Sequence, residues 1–199
     1  MYTVEHLTLP EVRDVYARCM TRDFPRNELK PLSAIEHALR RGEYLCFGLK
    51  ESGQVLAYAF FVCPGCQGKK QYLFDYLAVS DHLRGNGIGS RLLEALTSGP
   101  LKDAGCILLE VDDPSKATDP AETIIRNRRM HFYLRNGLRD TGVRSLVYGV
   151  HYRILEIPVH GPHTPSEARA IYEHFYRTMF PPVIYAQKFR ACVDAAHDP

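Results

Sequence analysis

Apolar residues recur along this chain with two spacings, and the alternation between them lays out a fold. Tyr2 to Leu7 alternates as a first strand. Thr8 and Glu11 then form a capping box around Pro10, and Val12, Val15, Tyr16 and Cys19 follow at helical spacing. Leu32, Ile35 and Leu39 share one face of a second short helix that Gly42 stops. Two apolar runs, Tyr44 to Leu49 and Val55 to Cys63, flank Glu51-Ser52-Gly53 and predict a hairpin. Pro64-Gly65 turns the chain into a further strand, Gln71 to Ser80. After a glycine-rich stretch, Ile88, Leu92, Leu93 and Leu96 mark a helix that Gly99-Pro100 breaks. Cys106 to Val111 is a continuous apolar run and reads as a buried strand. Asp119, Pro120 and Glu122 open a helix that ends at Asn136-Gly137. The Val-, Tyr- and Ile-rich stretch from Leu138 to Val159, broken at Gly142 and Gly149, holds two strands. The expectation is an α/β chain: a mixed sheet with helices packed against it.

Beyond Pro158 the composition shifts toward proline. Thr164 and Glu167 cap a helix over about 165–179, with Ala168, Ile171, Tyr172, Phe175 and Met179 as its apolar stripe and Phe180-Pro181-Pro182 as its end. The division is therefore a domain of 1–158 and an extension of 159–199. Two uses suit that extension, covering a substrate cleft or pairing two copies as a homodimer.

Composition narrows the function classes. The chain has 199 residues, with 25 basic against 23 acidic side chains and a formal charge of +2. So slight an excess supplies little counterion-release drive, and no nucleic-acid motif appears; nucleic acid is not an expected partner. The longest apolar run, Val55 to Cys63, is too short for a membrane-spanning helix, and the start lacks the apolar core of a signal peptide. The cysteines are scattered, three of them inside apolar runs, which suits a reducing cytoplasm. Cys63-Pro64-Gly65-Cys66 has metal-ligand spacing without a second pair, and His160-Gly161-Pro162-His163 reads as a loop, so no metal is expected. No Trp but twelve Tyr are present, which leaves room for one chemical phenol.

The chemistry concentrates in one segment. Tyr72-Leu73-Phe74-Asp75-Tyr76-Leu77-Ala78-Val79 is followed by Arg84-Gly85-Asn86-Gly87-Ile88-Gly89-Ser90 and then a helix. Glycines let a ligand approach the backbone, and a helix start offers unpaired N–H groups, so the pattern suits a pyrophosphate. The Walker A pattern fails because no lysine follows Gly89. The dinucleotide pattern fails because Ser90 stands where Gly or Ala is required. The pattern Arg/Gln-x-x-Gly-x-Gly/Ala is met by Arg84, Gly87 and Gly89.

That pattern, with its Leu-Ala-Val strand and Leu-Leu helix, resembles the coenzyme A signature of the GNAT superfamily N-acetyltransferases. Phe132-Tyr133-Leu134-Arg135-Asn136-Gly137-Leu138 resembles the family's second signature. The resemblance implies the acyl-CoA N-acyltransferase fold, with strands four (Gln71–Ser80) and five (Cys106–Val111) splayed apart. It implies transfer of an acetyl group from acetyl-CoA to a small-molecule or peptide amine by direct attack. By the same resemblance, the Leu77 N–H meets the thioester carbonyl, Val79 holds the pantetheine, and Arg84, Gly85, Asn86, Gly87, Ile88, Gly89 and Ser90 cradle the pyrophosphate. Tyr133 is the acid beside the sulfur. The base is one of two strand carboxylates, Glu110 or Asp75. The family's usual Asn and Ala before the tyrosine are Arg126 and Arg129 here, so the asparagine contact to the pantetheine is not carried over. Arg126, Arg128, Arg129, Arg135 and Arg139 read as a solvated face. The alternative function is a non-catalytic acyl-CoA sensor of the same fold.

Overall fold

The computed structural model describes residues 2–26, 28–63 and 70–194. The chain divides into two compact units, Met1–Cys66 with Phe74–Lys102, and Gln67–Leu73 with Asp103–Pro199.

The first unit begins with β1 (Thr3–His6) and α1 (Leu9–Val15), whose start is closed as expected: the Thr8 N–H donates to Glu11 at 2.8 Å. The helical path continues through a π turn at Tyr16–Met20 into α2 (Thr21–Asp23), a widening that the apolar spacing did not predict. After α3 (Leu32–Arg40) come β2 (Tyr44–Glu51) and β3 (Gln54–Val62), paired antiparallel from Glu51↔Gln54 to Tyr44↔Val62. Ser52 (φ 50°) and Gly53 (φ 79°) both take the left-handed conformation that a two-residue hairpin needs, which the twist of the strands favours. β4 spans Gln71–Val79, of which Phe74–Val79 belongs to this unit, and α4 (Ile88–Ser98) completes it; the strand order is β1-β2-β3-β4. Its core is aromatic and aliphatic: Phe47, Phe60, Phe61, Leu92 and Leu96 are buried, and the rings of Phe61 and Phe74 lie 4.3 Å apart. Apolar burial of this kind contributes about 1.5–3 kcal/mol per large side chain.

The second unit holds β5 (Cys106–Asp112), α5 (Pro120–Arg135), β6 (Arg139–Val147) and β7 (Val150–Ile157). β5 pairs antiparallel with β7, and β7 with β6. The turn between β6 and β7 is again left-handed, at Tyr148 (φ 49°) and Gly149 (φ 87°). Gly142 does not break a strand; it sits within β6 at φ 77°, where the register slips between Asp140 and Arg144. The Asp140 carboxylate accepts the Gly142 N–H and the Thr141 hydroxyl accepts that of Val143, so this bulge is locally satisfied.

The extension adds α6 (Pro165–Met179), with its capping box of Thr164 and Glu167 formed, then α7 (Pro182–Lys188) and β8 (Phe189–Val193). β8 pairs antiparallel with β6, giving the order β5-β7-β6-β8, so the tail contributes a strand as well as a helix. No helix of the described residues is long and apolar enough to cross a membrane.

Candidate active site

In the first unit, β4 runs into the glycine loop. Its faces divide cleanly: Tyr72, Phe74, Tyr76 and Ala78 are buried, while Asp75, Leu77 and Val79 alternate with them as half-buried positions. That two-residue period places the three predicted residues on one face. Gly85 and Gly87 take φ values of 84° and 76°, and a Cβ on either would meet no heavy atom within 4 Å. Only glycine adopts that path without strain, and the backbone lies open to a ligand there.

Gly87 is the N-cap of α4 and supplies no capping side chain. The first N–H groups of a helix have no partner within it, so those of Ile88, Gly89 and Ser90 are left for an anion. Ile88 and Gly89 are buried and Ser90 half-buried; Asn86 is exposed, its N–H donating to the Leu83 carbonyl at 3.3 Å. The residues present fit a pyrophosphate held by backbone amides. The Arg84 guanidinium is engaged elsewhere, with Asp81 at 2.7 Å, the Val79 carbonyl at 3.1 Å and Asp23 at 3.3 Å. It braces the loop against the end of β4.

Asp75 carries one partner on each oxygen. Lys30 Nζ lies 2.5 Å from Oδ1, and the Tyr44 hydroxyl donates to Oδ2. Burial, with the Asp75 charge close by, pushes the Tyr44 phenol well up, so it is a donor throughout the physiological range.

Glu110 and Tyr133 belong to the second unit. Glu110 lies on β5 and accepts hydrogen bonds at Oε1 from two tyrosines of α6, Tyr172 and, at 2.6 Å, Tyr176. Burial first, then the charge of Glu110, raise both phenols well above their ordinary value.

Tyr133 is different. Its ring is buried on α5, edge-on to Phe132 at 5.1 Å. Burial pushes its hydroxyl up to about 12, with Arg129 opposing. Tyr44, Tyr58, Tyr76, Tyr172 and Tyr176 are also buried, and each hydroxyl is hydrogen-bonded. The Tyr133 hydroxyl bonds to none of the described residues. Nor is any side-chain oxygen or nitrogen among them both sealed from solvent and unpartnered, so this hydroxyl opens onto solvent.

Not every arginine of the expected solvated face is solvated. Arg126 donates to the Asp113 carbonyl at 2.9 Å and pairs with Glu122 at 2.6 Å. Arg129 does stay exposed, while pairing with Asp112 at 2.9 Å. Arg139 reaches the fully buried Glu156 at 3.0 Å and the His163 carbonyl, because a carboxylate with no solvent access requires a charged donor. The donor atoms of Cys106, Glu156 and His163 lie within 4.8 Å of one another. Arg139 and the His163 N–H already answer the Glu156 charge. Cys63 is buried, its thiol 3.5 Å from the Gly42 carbonyl; the rest of the Cys63–Cys66 turn lies outside the described residues.

A family model described as "Acetyltransferase (GNAT) family" matches residues 9–121, more than half of the chain. This chain belongs to the GNAT family of acetyltransferases. GNAT acetyltransferases use acetyl-CoA. The fold class is the expected one, the α/β GNAT fold with helices flanking the sheet.

Solved GNAT structures agree in fold at low identity. A protein assigned to the family from Bacteroides thetaiotaomicron is 19% identical with a TM-score of 0.66, covering 89% of this chain and 97% of that one. The ribosomal-protein-S18-alanine N-acetyltransferase of Escherichia coli is 19% identical (TM-score 0.54; 82% and 97% covered). The spermidine N-acetyltransferase of Vibrio cholerae, in complex with CoA and spermine, is 12% identical (TM-score 0.55; 78% and 94% covered). No curated protein sequence matches this one.

The GNAT match includes the glycine loop, Asp75 and Glu110, and ends before Tyr133 and the extension. The partners that sequence reading missed are Lys30 and Tyr44 for Asp75, and Tyr172 and Tyr176 for Glu110. Only the second pair left a trace: two tyrosines four apart on one helix share a face.

Proposed function

We propose that this chain is an N-acetyltransferase that moves the acetyl group of acetyl-CoA to a primary amine by direct attack in a ternary complex. Within the loop from Arg84 to Ser90, the N–H groups of Gly85, Gly87, Ile88, Gly89 and Ser90 hold the pyrophosphate, and Val79 holds the pantetheine through its main chain. The Leu77 N–H donates to the thioester carbonyl, where negative charge develops as the amine attacks. Glu110 takes the proton that the ammonium must lose, and Tyr133 gives a proton to the departing thiolate.

The observation that carries the catalytic reading is Tyr133. Its ring is buried while its hydroxyl, bonded to none of the described residues, stays available to a ligand as a donor. An acyl-CoA sensor would require the glycine loop but not that hydroxyl. Between the two carboxylates the reading takes Glu110: Asp75 already has an ammonium on one oxygen and a phenol on the other, while Tyr172 and Tyr176 both donate to Oε1 of Glu110.

The reading is tested in two steps. Acetyl-CoA should raise the melting temperature, since a ligand that binds the native state alone stabilises it by mass action. CoA release should then be measured with spermidine, lysine, an aminoglycoside and an alanine-terminated peptide as acceptors. A thermal shift without turnover of any amine would favour the sensor; no shift at all would remove the coenzyme reading.

A further inference from the structure

Glu110 is joined to the extension by a compact polar junction. Tyr172 and Tyr176 stand one turn apart on α6 and donate to the same carboxylate oxygen. The Tyr172 hydroxyl also lies 2.9 Å from Ser145 Oγ on β6. Neither ring has room to swing. Tyr172 is fully buried, and Tyr176 stacks on Phe189 at 4.5 Å and meets Phe180 edge-on at 5.0 Å. Docking a helix does not call for this. α6 already buries Ala168 and Phe175, and phenylalanine at both tyrosine positions would pack without desolvating two hydroxyls and a charge. A buried polar network is worth its desolvation where it fixes one arrangement of its members.

We infer that Tyr172 and Tyr176 are positioning residues for Glu110, so that α6 of the extension is a working part of the acetyltransferase. This rests on the reading of Glu110 as the base. Two converging donors hold one carboxylate oxygen in place and fix the side chain in one rotamer. Each hydroxyl adds direction, because misplacing a reacting group by about 1 Å costs on the order of 100-fold in rate.

The test is a double-mutant cycle on the full chain, with acetyl-CoA and whichever of spermidine, lysine, an aminoglycoside or an alanine-terminated peptide turns over fastest. Tyr176→Phe should lower kcat about 10-fold, and Tyr172→Phe with Tyr176→Phe together by more, while the KM for acetyl-CoA stays within about twofold. In a Glu110→Gln background, Tyr176→Phe should change kcat by less than about twofold, since a group acting through Glu110 has nothing left to position. An equal loss in both backgrounds would show a structural role and overturn the inference. So would wild-type kcat in the tyrosine variants alongside a damaged Glu110→Gln enzyme, a result that leaves Glu110 as base. Wild-type kcat in Glu110→Gln itself would remove the base reading, and the positioning role with it. Should Tyr172→Phe fail to fold, Tyr176→Phe completes the cycle alone.

Discussion

Asp75 and Glu110 look alike along the chain: each is an acid in an otherwise apolar strand. In the folded protein they are opposites. Asp75 meets a cation and a phenol, one on each oxygen, both supplied from within the first unit. Glu110 meets two phenols on one oxygen, both from a helix of the extension. An acid whose charge is answered by an ammonium holds structure together. Tyr133 extends the contrast, a buried phenol without a bond to any described residue.

The widest separation should come from removing the two charges in parallel. Glu110→Gln should lower kcat by about 10²–10³-fold, the range of a lost general base, while Asp75→Asn stays within about threefold in the same CoA-release assay. Equal losses would erase the distinction. Next, Tyr133→Phe should cost about 10²-fold in kcat with acetyl-CoA binding preserved by calorimetry. With its hydroxyl at about 12, this group stays protonated at lower pH, so it should impose no fall in kcat between pH 7 and 10.

Smaller effects probe Asp75 as a structural acid. Asp75→Ala leaves the buried Tyr44 hydroxyl without its acceptor and should cost about 1–3 kcal/mol in urea unfolding. Subtlest is the acid response of Glu11, another acid of the first unit that is paired with a lysine. Its carboxyl is held down to about 2, from an ordinary 4.5, first by the Lys50 ammonium and then by Thr8. Because the folded value is the lower one, this contribution is complete above pH 4.5 and is lost as pH falls toward 2. Glu11→Gln should therefore flatten the melting-temperature profile over that window, and a profile unchanged by the substitution would dismiss the pairing as a stability device.

The parts of this protein that were legible in advance are those written locally. The capping residues Thr8, Asp119 and Thr164 each act within four residues, and Ser52-Gly53 turns a hairpin by its own dihedral angles. The glycine loop belongs with them, since φ values at Gly85 and Gly87 and the start of α4 depend on adjacent residues. Gly142 misled because a glycine in a strand-like run serves a bulge as readily as a break. Arg139 misled because nothing near it announces that Glu156 is fully buried. α7 and β8 went unseen because β8 is short and is defined by its pairing with β6.

Sequence alone therefore determined the family, a glycine loop that opens a helix and a short list of chemical groups, because motif, cap and turn are properties of neighbours. It did not rank that list. Asp75 draws its partners from 31 and 45 residues away, and Glu110 from 62 and 66. Whether an acid meets an ammonium or a phenol is decided only when distant elements pack, and that choice of partner sets what the acid can do.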